Sequence, residues 1–301
     1  MDENFAVLNL PDEMLHISQK EGQARVLLCR TTAMARRAAE IHRPSSTALA
    51  AMSRLMTATA MLGVMMKEPD ASVTVTVAGD GPAGKLTAVA HGPHVKAAMA
   101  HPEADLPLKA DGHLDVGGLV GHHGRLTVIK DLGLKEPYIG QCALVSGELG
   151  EDFAQYFTVS EQQPSLVALG VLTSGDAVLK AGGLLLQPMP GCPDEVIDQL
   201  ELRSPMFADI SREMTFACKE QLAEDWFRGM EPELLDRTPL RYHCGCSRER
   251  MEKALISLGR RELESLISED QGAELGCHFC HSRYAFTTGE LQELLQRASR
   301  E

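Results

Sequence analysis

Eight cysteines occur in 301 residues, and four of them fall in two short windows, "HCGCSRERMEK" (243–253) and "GCHFCHSRYAF" (276–286). Cys244 and Cys246 form C-x-C; Cys277 and Cys280 form C-x-x-C; 30 residues separate the pairs. Two close thiol pairs joined by a folded insert are the usual way to assemble a tetrahedral thiolate site. Zinc is the ion that four soft sulfurs suit best. His243, His278 and His281 lie alongside as substitute donors, but four sulfurs already complete the shell. The C-x-C pair adds a second chemistry. Gly245 lets the chain bend until both sulfurs face one ion, and sulfurs that close can also reach each other. The small ring so formed is strained and easily reduced. A permanent zinc knuckle and a reversible thiol switch therefore both fit these residues.

Other chemistry-bearing patterns are weaker. Cys29, Cys142, Cys192 and Cys218 are scattered without ligand-like spacing and are expected to be buried, inert thiols. "GDGPAGKL" (79–86) satisfies G-x-G-x-x-G, but a phosphate site needs a helix immediately afterwards to supply N–H donors. Here "LTAVA" follows and alternates like a strand, so a hairpin turn explains the glycines. His122 and His123, in "GHHGR", lack a third donor nearby and read as solvated loop residues.

The elements that must position the thiol pairs come next. "SRERMEKALISLGRRELESLISED" (247–270) reads as two helices divided at Leu258-Gly259, and "AELGCHFCHSRYAFT" as a hairpin carrying the second pair on its turn. Thr287 with Glu290 gives a capping-box start to a last helix. A unit of about 60 residues with so few large apolar groups is marginal without a metal staple. Upstream, residues 30–67 have helix-type apolar spacing, interrupted at "HRPSS" (42–46), where Pro44 and the serines can end one helix and cap the next. Residues 72–92 read as two strands and a turn. Further strands are expected at 124–132, 138–147 and 176–189, and a helix at 148–160. Sheet and helix mix without regular βαβ alternation, which predicts an α+β domain over 1–190. Residues 191–240 carry 5 Lys/Arg against 12 Asp/Glu in short helical pieces, a self-repelling helical linker lying on that domain. A small zinc-binding α+β domain over 241–301 completes the chain.

Composition excludes several classes. The net charge of −13 opposes attraction to nucleic acid or an anionic membrane. "MDENFAVLNL" lacks a signal-peptide pattern, and "TATAMLGVMMK" (57–67) is short of the ~20 residues that span a bilayer. A cytoplasmic protein is expected, and in that reducing compartment eight cysteines are not a disulfide framework. Aromatics are 4% while Met numbers 14, so flexible thioethers are expected to fill some core and surface patches.

Read together, "RPSSTALAAMSRLMTATAMLGVMMK", "GDGPAGKLTAVA", "YIGQCALVSGELGEDFAQYF", "SEQQPS", "AGGLLLQPMPG", "CGCSRER", "LISLGRREL" and "CHFCHSRYAF" resemble the heat shock protein 33 family of redox-regulated chaperones. The likeness covers nearly the whole chain, and all four cysteines match that family's most specific mark. The resemblance implies that Cys244, Cys246, Cys277 and Cys280 hold one Zn²⁺ when reduced. On oxidation it implies disulfides Cys244–Cys246 and Cys277–Cys280, zinc release and unfolding of 241–301. The linker then loses support and detaches. Unfolding client proteins are held without ATP, the oxidised protein dimerises, and clients pass to ATP-dependent foldase chaperones. Catalysis in the turnover sense is not implied.

Two rivals remain at this point. A zinc-ribbon nucleic-acid binder needs a basic face, yet 241–301 carry 9 Lys/Arg against 10 Asp/Glu. A thiol oxidoreductase using Cys277 and Cys280 would leave one thiolate free and would lack a competing cysteine pair.

Overall fold

The computed structural model describes residues 10–19, 22–175, 177–269 and 271–298. They form two compact units, Met1–His243 and Cys244–Glu301. In the first, strands β1 (Glu13–Gln19) and β2 (Ala24–Arg30) precede helices α1 (Thr32–His42) and α2 (Ser46–Val64). Strands β3 (Ser72–Gly79), β4 (Lys85–His91) and β5 (His94–Met99) follow, then α3 (Val116–Val120), β6 (Gly124–Asp131), β7 (Tyr138–Ala143) and α4 (Leu149–Ser160). Next come β8 (Leu166–Ser174), β9 (Ala177–Pro188), α5 (Asp194–Glu201), α6 (Ile210–Phe216), α7 (Lys219–Trp226), β10 (Glu233–Pro239) and β11 (Arg241–Tyr242).

Two sheets result. One has the order β10-β1-β2-β9-β8, the other β11-β5-β4-β3-β6-β7. Helix α2 lies between them, against β3, β4 and β5 on one side and β8 and β9 on the other. Its start is fixed as the serines suggested: Ser45 Oγ accepts from Ala48 N at 3.1 Å, just after Arg43 turns left-handed at φ 46° to end α1. The 19-residue helix is longer than the 57–67 segment, and by length and composition alone it could cross a membrane. Its apolar window is instead 89% buried inside the protein. Met52, Met56 and Met61 are each 1% exposed, so the methionines are core.

The sheets differ in how they are covered, and the sequence pattern follows. In β3, Val73, Val75 and Val77 are buried while Thr74 and Thr76 are half-buried, the alternation of a sheet with one wet face. In β9, Leu185 joins the α2 side whereas Leu184 and Leu186 face an outer layer of α5, α6 and α7, giving the unbroken "LLL". Adjacent Gly182 and Gly183 admit both layers. A Cβ on Gly182 would lie 2.6 Å from Met214 Sδ, and one on Gly183 2.8 Å from Thr57 Cγ2. Of the "GDGPAGKL" glycines, Gly79 ends β3 while Gly81 and Gly84 fall in the β3–β4 turn, with β4 following directly.

The helices within 191–240 pack on the first sheet, and this stretch also supplies β10, which pairs antiparallel with β1. Phe207 and Trp226 meet edge-on at 5.1 Å between ring centroids and anchor this layer over Val26, Leu28 and Leu184.

The second unit contains α8 (Arg248–Ser257), α9 (Arg260–Ser268), the hairpin β12 (Gly272–Gly276) and β13 (Arg283–Thr287), and α10 (Thr288–Ala298). Its core is small: Leu255, Leu263, Phe286, Leu291 and Leu294 are buried. The capping box forms, with Glu290 Oε2 accepting from Thr287 N at 2.8 Å and Thr287 Oγ1 accepting from Glu290 N at 3.4 Å.

Candidate metal centre

The hairpin and the segment entering α8 bring the two thiol pairs together. Cys277 and Cys280 lie in the β12–β13 turn, which Cys277 N closes by donating to Ser282 O at 2.9 Å and His281 N by donating to Cys277 O at 2.8 Å. His281 completes the turn with φ at 58°. Cys244 and Cys246 precede Ser247, whose hydroxyl caps α8 by accepting from Arg250 N at 3.3 Å.

All four sulfurs lie within 4.8 Å of one another. The nearest approaches cross between the segments, Cys244 to Cys277 at 3.6 Å and Cys246 to Cys280 at 3.2 Å. Sulfurs each about 2.3 Å from one tetrahedral ion would stand roughly 3.8 Å apart. The cluster fits that spacing and can hold a metal ion. His243, His278 and His281 are not among the clustered donors.

Contacts around the sulfurs are uneven. Cys277 is buried and the other three are half-buried. Burial pushes the Cys244 thiol up to about 12. Burial also raises Cys280, but hydrogen bonds from Ser282 and the neighbouring sulfurs outweigh it and draw the thiol down to about 6. Tyr284 Oη sits 3.2 Å from Cys246 Sγ, and that contact pushes the phenol up to about 12. Ser282 Oγ lies 3.2 Å from Cys280 Sγ. Sequence reading did not single out Ser282 or Tyr284. Their only signal is position, two and four residues beyond Cys280 on the returning strand.

The remaining cysteines divide. Cys29 and Cys142 are buried, and burial pushes their thiols up to about 12 and about 11. Cys192 and Cys218 are half-buried, which corrects the expectation of four buried thiols. Cys192 lies just before Pro193, the N-cap of α5, and Cys218 is the N-cap of α7. His122 Nδ1 lies 2.7 Å from Ser146 O, a loop contact.

Comparison with known proteins bears on these features. The family model described as Hsp33 protein matches residues 12–287. The chain belongs to the Hsp33 family. The 33 kDa chaperonin of Bacillus subtilis is 42% identical over 282 residues, covering 93% of this chain and 97% of that one. The 33 kDa chaperonin of Caldanaerobacter subterraneus subsp. tengcongensis is 44% identical over 265 residues, 87% and 90% of the two chains. The crystal structure of the Hsp33 homologue from Thermotoga maritima superposes with a TM-score of 0.88 at 30% identity, covering 97% of this chain and 100% of that one. The mixed helix-and-strand architecture expected from sequence is thus the Hsp33 fold, and the family is one of chaperones.

Proposed function

We propose that this Hsp33-family chain is a redox-regulated, ATP-independent holdase of the cytoplasm, switched by Cys244, Cys246, Cys277 and Cys280. The observation that carries this reading is the cluster itself: four sulfurs from two chain segments within 4.8 Å, in a unit whose apolar core, among the described residues, is built on Leu255, Leu263, Phe286, Leu291 and Leu294. Zinc bound there would hold the sulfurs as thiolates and cross-link the α8 entry to the hairpin turn. Structural zinc contributes roughly 10–16 kcal/mol in small domains, comparable with the roughly 5–15 kcal/mol that stabilises a whole domain.

In the switch, a thiolate sulfur attacks a hydroperoxide oxygen, the O–O bond breaks, and a sulfenic acid forms as hydroxide or alkoxide leaves and takes a proton from solvent. A neighbouring thiol then displaces water to give a disulfide. Two such events convert four thiols to two disulfides, and the cluster retains no thiolate donor. Family analogy assigns the bonds Cys244–Cys246 and Cys277–Cys280. The short distances between Cys244 and Cys277 and between Cys246 and Cys280 make the cross pairing the alternative to be excluded. Residues 241–301 then unfold on the remaining small core, and the linker 191–240 leaves the domain formed by 1–190. Its departure would uncover Leu15, Ile17, Val26, Leu28, Leu184 and Leu186, an apolar face for unfolding proteins. The oxidised protein is expected to dimerise and to release clients to ATP-dependent foldases. No turnover chemistry is assigned to it.

Light scattering from a thermally aggregating test protein, with no nucleotide present, tests the reading. Peroxide-treated protein should suppress aggregation and the reduced form should not. Equal behaviour of the two forms would refute the switch. Peptide mapping of the oxidised sample reads the pairing.

A further inference from the structure

The first sheet ends at β8, whose outer edge meets no further strand among the described residues. Different layers cover the two faces of this edge. Leu166 packs with the outer helical cluster of α5, α6 and α7, whereas Val167, the next residue, packs with the core that includes α2 and α4. Helix α4 also reaches β8 directly. A Cβ on Gly150 would lie 3.0 Å from Val167 O, so that carbonyl faces α4. Between the two layers a cavity of about 490 Å³ opens at the sheet edge, bounded by α4, β8, the end of β9 and α5.

Leu166, Val167, Leu186, Ile197 and Leu200 give the cavity an apolar lining. Two of its hydroxyls are already engaged: Thr158 Oγ1 donates to Ala154 O at 3.0 Å, and Ser165 Oγ to Gln163 O at 2.9 Å. The charged groups are two exposed carboxylates on facing elements, Glu151 of α4 and Glu201 of α5. Ser146 Oγ donates to Glu151 Oε2 at 2.6 Å and fixes the first. Glu201 is the last residue of α5, where the helix dipole is negative and favours a cation. Among the described residues, none that lines the cavity is a lysine or arginine. Volume, apolar lining and a few converging polar groups are what a small-molecule site requires. Charge then selects the ligand. An anion would face two carboxylates, whereas an ammonium brings three donors to them and to the Val167 carbonyl.

We propose that the α4–β8–α5 cavity binds a small amphipathic amine, with its aryl or alkyl group among the leucines and its ammonium at Glu151 and Glu201. The net charge of −13 adds a long-range attraction for such a cation. An occupant touches α4 and α5 at once, so it ties the outer helical layer to the core at the open edge of the sheet.

Reduced full-length protein is titrated with phenylbutylamine, phenylbutanol and phenylbutyrate, which share a carbon skeleton and differ in charge, and binding is followed by ligand-observed NMR. The amine should bind at least about threefold tighter than the alcohol, the scale of pairing with exposed carboxylates. Phenylbutyrate should bind most weakly, and added salt should narrow the gap. Glu151→Gln combined with Glu201→Gln should lower the amine to the level of the alcohol and leave the alcohol unchanged. Ala154→Trp, which fills the cavity from α4, should block all three probes. Hydrogen exchange locates the site: bound amine should slow exchange in α4 and α5. Equal binding of the three probes, no binding, or protection confined to other elements would overturn the proposal. Should Ala154→Trp fail to fold, the probe series and the paired Gln substitutions still decide it. None of these readouts involves the thiols or holdase activity, so the result is independent of the switch.

Discussion

Single residues set the thresholds of this molecule. Replacing Cys246 by Ser removes a sulfur that sits 3.2 Å from both Cys280 and Tyr284. Metal analysis should then find zinc lost from the reduced protein, and proteolysis should cut within 244–301 at concentrations that spare the unsubstituted chain. Retention of both metal and protection would remove Cys246 from the site. Glu220 offers a pH test. Burial raises its carboxyl, but hydrogen bonds from its own backbone N–H and from Arg237, with the Lys219 charge, outweigh that and hold it at about 2, below its ordinary 4.5. A carboxyl depressed in the folded state stabilises that state above 4.5, and the contribution is lost as pH falls towards about 2. The side chain is 34% exposed, so solvent screens the effect. Urea midpoints followed by Trp226, the single tryptophan, should drop across that window, and less steeply in Glu220→Gln.

Elements show what was legible and what was not. Strong periodicity and capping signals located α1, α2, α4, the β3–β4 hairpin, β6, β7 and β9, and the whole second unit down to the Thr287–Glu290 box. The sequence reading passed over β1, β2, β5, β8 and β10. "ARVLLCR" is a short apolar run buried on both faces, which periodicity cannot tell from a helix segment. "HVKAAM" is alanine-rich with little strand propensity, and "ELLDRTP" is a charged edge strand ending in proline. β1 with β2, β5 with β4 and β8 with β9 pair as sequence-adjacent hairpins, so composition rather than distance kept the local pattern silent there, whereas β10 pairs only with the distant β1. The four thiols were legible because spacing encodes a metal site, whereas Ser282 and Tyr284 depend on hairpin register. The outer helical layer yields its own expectation. Phe207, fully buried against Trp226 and Phe227, should cost about 3–5 kcal/mol when cut to Ala. Reduced Phe207→Ala should therefore show a red-shifted Trp226 emission and suppress aggregation without any oxidant. An unshifted, inactive variant would mean that this layer does not gate the apolar face.

At the scale of the molecule, one large core is joined to a unit that carries few buried side chains and a thiol cluster. Under the proposed switch, that imbalance would let a local oxidation change global behaviour. The charge of −13 fits release into solution better than capture by polyanions, and binding to nucleic acid at low salt should be absent in a gel shift. The central claim is that the thiol cluster controls the apolar face, and one coupled measurement reaches it directly. Reduced protein is incubated with peroxide at mildly raised temperature, zinc release is read with a chromogenic chelator, and light scattering of an aggregating test protein is recorded in the same samples. Thiol loss, zinc release and protection should rise together, and a reductant should reverse the thiol loss. Zinc held throughout oxidation, or zinc lost with no protection, would contradict the account.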